Sequence, residues 1–223
     1  LMAPGYLLTG IGANYKKGDW LNVNLSPVTG KIWLDRNLGA SQACTSSTDS
    51  ACYGDRYQWG RPTDGHEDFS GGTTGTTSAT IAPGNGTYIL SGLDWVNGGV
   101  DDNGNLRRAE WNKLDASVLC PIRFRVPTEN ELALETIDPG VVGKDTQVTD
   151  AATAFTNFLK FGVGGYRQGT NASLQNDGTA GFIWTTTNST LSGEAKYLDF
   201  RSGTASMSTL PRSYGMPVRC IRD

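Results

Sequence analysis

Histidine is almost missing from this chain. Among 223 residues there is one, His66, so an imidazole-based catalytic triad would have to be built on it. No Gly-x-Ser-x-Gly nucleophile elbow, His-Glu-x-x-His helix or phosphate-binding loop accompanies it. Charge is also sparse. Only 18% of residues are charged, the formal net charge is −3, and no run of Lys or Arg occurs. The electrostatic basis for nucleic-acid binding is therefore absent. No stretch stays apolar for the ~20 residues that a membrane helix needs, so membrane insertion is not expected. No Cys-x-x-Cys pair exists, which argues against zinc and thioredoxin-type chemistry. Leu1-Met2-Ala3-Pro4 runs straight into the domain. With no signal peptide before it, the chain reads as a piece of a longer protein whose targeting segment is gone.

What the chain has in quantity is glycine, 29 residues, with six Trp and eight Tyr. Glycine, Asn and Ser supply the backbone angles that turns demand, and large aromatics argue for a packed core or a binding face. The mix suits one loop-rich β or α+β domain, with residues 1–29 as an N-terminal extension or a strand from a preceding domain. The four cysteines suggest two disulfides. Cys44 and Cys52 flank a polar loop that a local bridge would close. A Cys120–Cys220 bridge would tie the C-terminal strand to the middle of the domain, and loop-closure entropy makes it worth roughly 4 to 5 kcal/mol.

Strand patterns run over residues 31–38, 164–167, 181–185, 197–200 and 217–221. Residues 70–87 are almost wholly Gly, Thr, Ser, Ala and Pro, the composition of a long surface loop. Thr128 with Glu131 is a capping box that predicts a helix to about Glu135. A second helix is expected after Asp150, with Ala151, Ala152, Phe155, Phe158 and Leu159 as its apolar stripe.

Six blocks carry a resemblance, in order, over about residues 30–223. They are Trp33-Leu34-Asp35-Arg36-Asn37-Leu38, Tyr57-Gln58-Trp59-Gly60-Arg61, Cys120-Pro121, Phe124-Arg125-Val126-Pro127-Thr128-Glu129, Gly164-Gly165-Tyr166-Arg167 and Val218-Arg219-Cys220-Ile221. Together they resemble the Fibrobacter succinogenes major paralogous domain family. Some are also similar to the formylglycine-generating-enzyme and C-type-lectin-like superfold. The resemblance implies an α+β domain with twisted antiparallel sheets, two short helices and long loops. The segments around Asp55 and Asp64-Gly65-His66 look closest to a branch found near the ends of repeats-in-toxin adhesins. That branch implies a calcium-dependent peptide-binding domain on a bacterial surface. It would hold an extended peptide or a protein C-terminus for attachment and biofilm formation, as a monomeric part of a larger chain. A glycan-binding lectin module on the same scaffold is the alternative. Formylglycine-generating enzymes use paired active-site cysteines; a bridged Cys220 removes that chemistry, and no enzyme is expected.

Hard cations take six to eight oxygen ligands. Asp101, Asn103 and Asn105 place side-chain oxygens at alternate positions, with Asp102 between and Asp94 or Glu110 available to complete a set. Gly104 comes two places early and Asn112 stands where an EF-hand has Glu, so this is either an irregular calcium loop or a plain turn. Asp55, Asp64 and Asp68 form a second candidate group. Asn176-Asp177-Gly178 is a hairpin-turn signal. Candidate ligand contacts are aromatic and Arg residues in loop-like settings: Tyr57, Trp59, Arg61, Asp64, His66, Tyr166, Arg167, Trp184, Arg212 and Tyr214. Trp59 and Trp184 are equally candidates for the core, as the family resemblance implies.

Overall fold

The computed structural model describes residues 6–7, 20–140 and 146–222. The expected N-terminal extension lies largely outside them. Among the described residues fourteen short strands and three α-helices follow one another. β1 (Tyr6–Leu7) pairs with β2 (Trp20–Leu21). β3 (Val23–Leu25), β4 (Ile32–Leu34) and β14 (Ile221–Arg222) form a three-stranded sheet in the order β14-β4-β3. Residues 23–25 thus belong to the domain's own sheet. A four-stranded sheet runs β5 (Tyr57–Gln58), β13 (Gly215–Met216), β8 (Gly164–Arg167), β9 (Leu174–Asp177). The largest ladder is β10 (Gly181–Asn188), β11 (Glu194–Arg201), β12 (Thr204–Pro211). β6 (Thr73–Thr74) and β7 (Tyr88–Ile89) pair in parallel, the one departure from antiparallel pairing among the named strands.

The mixed α+β class is as expected, but there are three helices rather than two. α2 (Glu129–Glu135) carries the Thr128–Glu131 capping box, and α3 (Ala151–Thr156) carries an Asp150–Thr153 box. α3 stops at Thr156, so Phe158 and Leu159 lie past its end, although Leu159 is still buried. α1 (Asn105–Trp111) is the unexpected one. Its first N–H groups are capped from a distance: Asp101 Oδ1 accepts from Leu106 N at 3.0 Å and Oδ2 from Arg107 N at 3.1 Å. β12 was also not legible, because its Thr, Ser and Met residues lack a clear apolar alternation. Asn176-Asp177-Gly178 does turn the chain, but β9 and β10 lie in different sheets, so no hairpin forms there.

Both expected disulfides are present, Cys44–Cys52 and Cys120–Cys220, which points to folding in an oxidising, non-cytoplasmic compartment. Among the described residues no helix is long and apolar enough to cross a membrane. The core contains Trp33, Trp59, Trp95, Trp111 and Trp184, all fully buried. Three of these indoles converge on one segment. Trp184 Nε1 donates to Tyr57 O, Trp95 Nε1 to Trp59 O, and Trp111 Nε1 to Arg61 O, at 2.8 to 3.0 Å. Trp59 in turn donates to Thr185 O at 2.8 Å. A buried indole N–H left without an acceptor would cost about 1–3 kcal/mol, so the Tyr57–Arg61 carbonyls act as the hub that satisfies them.

Candidate functional site

Arginine is the unusual occupant of this interior. Arg56, Arg61, Arg107, Arg167, Arg212 and Arg219 are all buried. A guanidinium is tolerated there only when its donors are met. Arg107 and Arg212 meet that demand together. Their guanidinium carbons lie 5.6 and 5.0 Å from the Trp59 ring, and Arg107 is also 5.2 Å from the Trp95 ring. On the other side stand carboxylates. Asp94 binds Arg107 bidentately, Nη1 to Oδ1 at 2.6 Å and Nη2 to Oδ2 at 2.8 Å, and Oδ2 also takes Arg212 Nη1 at 3.1 Å. Asp101 Oδ2 accepts from Arg107 Nε at 2.9 Å. Arg212 further donates to Asp102 O and Glu194 O. Burial, with Arg107 close by, pulls the Arg212 pKa below its usual value, and Asp94 opposes this. Gly104 lets the chains approach: a Cβ there would sit 2.6 Å from Asn188 Oδ1 and 2.8 Å from Arg212 Cζ.

Above this layer of rings, guanidiniums and carboxylates the surface opens into a cleft. One part encloses about 500 Å³ between residues 91–102 and the turn at Ser192 and Gly193. A second part of about 330 Å³ lies over Asn103, Arg212 and residues 189–192. Asp102 and Ser192 border both parts. The lining mixes hydroxyl, amide and carboxylate groups and the Arg212 side chain with apolar surface that includes the exposed Leu93 and Leu191, and among the described residues it has no aromatic ring.

The cleft therefore gathers Asp94, Asp101, Asp102, Asn103 and Arg212 from the candidates, with Asn105 close by through an Asn188 Nδ2 to Oδ1 contact at 3.4 Å. The calcium loop is corrected. The positive charge facing Asp94 and Asp101 is Arg107 and Arg212, Asp102 Oδ1 accepts from Gly99 N at 2.7 Å, and Asn103 Oδ1 accepts from Asn105 N at 3.0 Å. These are turn and cap bonds, and they leave no oxygen cage for a hard cation.

The second acidic loop is sealed. His66 is fully buried. Its Nε2 accepts from Gln58 N at 3.0 Å, which places the ring proton on Nδ1. Nδ1 faces Asp64 Oδ1 at 2.8 Å and Glu67 Oε2 at 3.2 Å. Arg61 grips Asp64 Oδ2 through Nε and Nη2 at 3.1 and 2.8 Å, and donates to Gln58 Oε1 and Thr87 O. Burial opposes ionisation of Asp64, but the hydrogen bond to His66 and the Arg61 charge outweigh it and hold the carboxyl at about 2. Glu67 is shifted down in the same way, against burial, by its bond to His66. The ligand atoms of Asp64, His66 and Glu67 lie within 4.8 Å of one another, so this group is able to hold a metal ion. Asp55 and Asp68, the expected companions of Asp64, are engaged elsewhere: Asp55 meets the Tyr57 hydroxyl at 3.4 Å, and Asp68 Oδ1 caps Ser70.

The remaining candidates scatter. Tyr57, Trp59 and Trp184 are core residues with no surface to offer a ligand. Arg167 is buried over Tyr88 and pins the 66–68 loop by donating to His66 O and Asp68 O at 3.1 and 3.0 Å. Tyr166 and Tyr214, both half-buried, pack at 5.5 Å between ring centres and line neither part of the cleft. Arg107, Glu67, Leu93 and Leu191 were missed. Nothing local marks Arg107; an Asp six residues before an Arg is only meaningful once Asp101 caps α1. No family model, curated protein or solved structure matches this chain.

Proposed function

We propose that this chain is a binding module without catalytic chemistry, from the extracellular surface of a bacterium, and that it holds an extended peptide in the cleft above Asp94 and Arg212. The observation that carries this reading is the two-part cleft, its wall part polar and part apolar with two exposed leucines, seated on a floor whose charges are already neutralised. Such a floor is preorganised and does not need to rearrange on binding. Peptide is favoured over glycan because no aromatic face lines the cleft; the five buried tryptophans cannot stack on a sugar. The absence of free cysteines among the described residues and the double engagement of His66 support a non-catalytic role. The resemblance of the segments around Asp55 and Asp64-Gly65-His66 to the adhesin branch is what suggests attachment as its purpose.

Calcium does not fit the Asp101–Asn105 segment, for the reasons above. The Asp64 group offers three ligand atoms, one of them nitrogen and bearing a proton, which is a poor set for calcium. Peptide capture in this reading proceeds without an ion. The test is calorimetric titration of a peptide library and a parallel glycan array, with and without chelator, on the native chain and on Ser192→Trp, which fills the cleft. Peptide binding that chelator leaves intact and Ser192→Trp abolishes is expected. Capture of glycans alone, or peptide binding indifferent to Ser192→Trp, would overturn it.

A further inference from the structure

The two arginines beneath the cleft are turned toward acidic and carbonyl partners, and only Arg212 borders it, in the part over Asn103 and residues 189–192. Arg107 is 0% and Arg212 1% exposed, and their bonds run to Asp94, Asp101 and main-chain carbonyls. The carboxylates are what reaches the surface. Asp94 retains 16% exposure although both its oxygens are bonded. Asp102 is exposed, borders both parts of the cleft, and enters no ion pair among the described residues. Five charged groups thus stand at this site, three negative and two positive, and the unspent one is negative. Among the described residues no Lys or His, and no Arg but Arg212, lines either part.

From this arrangement we infer that the cleft selects a cationic group of its ligand, a lysine or arginine side chain or a peptide's N-terminal ammonium, rather than a free carboxylate. This rests on the peptide reading above and fixes its chemistry. In the part bordered by Asp94, Asp101 and Asp102 an incoming carboxylate would meet no cationic side chain among the described lining residues, and like charges brought together at a desolvated site are costly. An ammonium or guanidinium would meet Asp102 directly, with the Ser192 hydroxyl and Asn97 amide at hand. The apolar stem of such a side chain needs apolar surface. Leu93, 47% exposed, offers it in one part of the cleft, and Leu191, 58% exposed, in the other.

The experiment uses one hexapeptide in four forms, titrated calorimetrically into the whole chain. The first three are blocked at both ends and carry Lys, norleucine or Glu at the centre. The fourth carries norleucine and a free C-terminus. The Lys form should bind at least about tenfold tighter than the norleucine form, with the gap shrinking as salt rises. The Glu and free-carboxylate forms should bind more weakly than the blocked norleucine form. Asp102→Asn keeps an oxygen for Gly99 N and should keep the melting temperature, while erasing most of the Lys advantage. Equal affinity for Lys and norleucine, tighter binding of the free C-terminus, or a Lys advantage that survives Asp102→Asn would refute the inference and leave peptide capture standing. Silence from all four peptides takes down the peptide reading and this inference together.

Discussion

Two acidic loops in this chain look alike as sequence and end up as opposites. Residues 101–105 and 64–68 both concentrate oxygen-bearing side chains beside glycine. In the first, the carboxylates are neutralised from below by Arg107 and Arg212, which are themselves backed by the Trp59 and Trp95 rings. The positive charge is hidden, Asp102 is left over, and the loop opens into a cleft. In the second, Arg61 and the His66 imidazole close on Asp64 and Glu67 from within the loop, and Arg167 ties the backbone down. Of this loop's carboxylates only Asp68 is exposed, with its Oδ1 bonded to Ser70. What separates a binding wall from a clasp is thus where the compensating cation sits, not how many carboxylates the loop carries.

The largest effect is expected from removing the cation under the open loop. Arg107→Leu keeps the main-chain cap of α1 but leaves Asp101 buried without its guanidinium and takes away the bidentate partner of Asp94, and should cost about 3–5 kcal/mol in chemical denaturation. A loss below about 1 kcal/mol would mean that water replaces the guanidinium and that the floor is not dry. Next in size is His66→Leu, which orphans the Gln58 N–H and sets Asp64 against Glu67; about 2–4 kcal/mol is expected. The third prediction separates the loops by pH. Asp64 is held at about 2 in the folded chain, below its ordinary value near 3.9. A carboxyl depressed by folding contributes stability that is complete above its unfolded pKa and is lost as pH falls through the folded one. Melting temperature should therefore drop between about pH 4 and pH 2. Glu131, also held at about 2 against burial by Arg125 and the Thr128 cap, adds to the same drop. Asp64→Asn should lower stability at neutral pH and shallow the acid slope; an unchanged slope would assign the effect to Glu131 and the other depressed carboxyls, Glu67 among them.

Much of the frame was legible. Thr128 and Glu131 announced α2 because a capping box is local chemistry, and the cysteine spacing announced both bridges. Asp94, Asp101, Asp102 and Asn103 were picked out as a site, and they do border the cleft. The arginines that answer them were not legible, since an acidic turn reads the same whether a metal or a distant arginine faces it. Arg212 lies 118 residues from the Asp94 it neutralises, and no sequence window contains both.

Local order came from the chain itself: the caps, the turns, the disulfide-closed loop and the shortage of catalytic residue types are properties of neighbours in sequence. Which charges face inward was settled only by packing. Burying five indoles forced their N–H groups onto the Tyr57–Arg61 carbonyls and the nearby Thr185 carbonyl, apart from Trp33, and the rings of Trp59 and Trp95 then became the bed for guanidiniums drawn from α1 and β12's far end. A buried charge must find its opposite wherever the fold brings one within about 3 Å, and that partner is chosen in space, not along the chain.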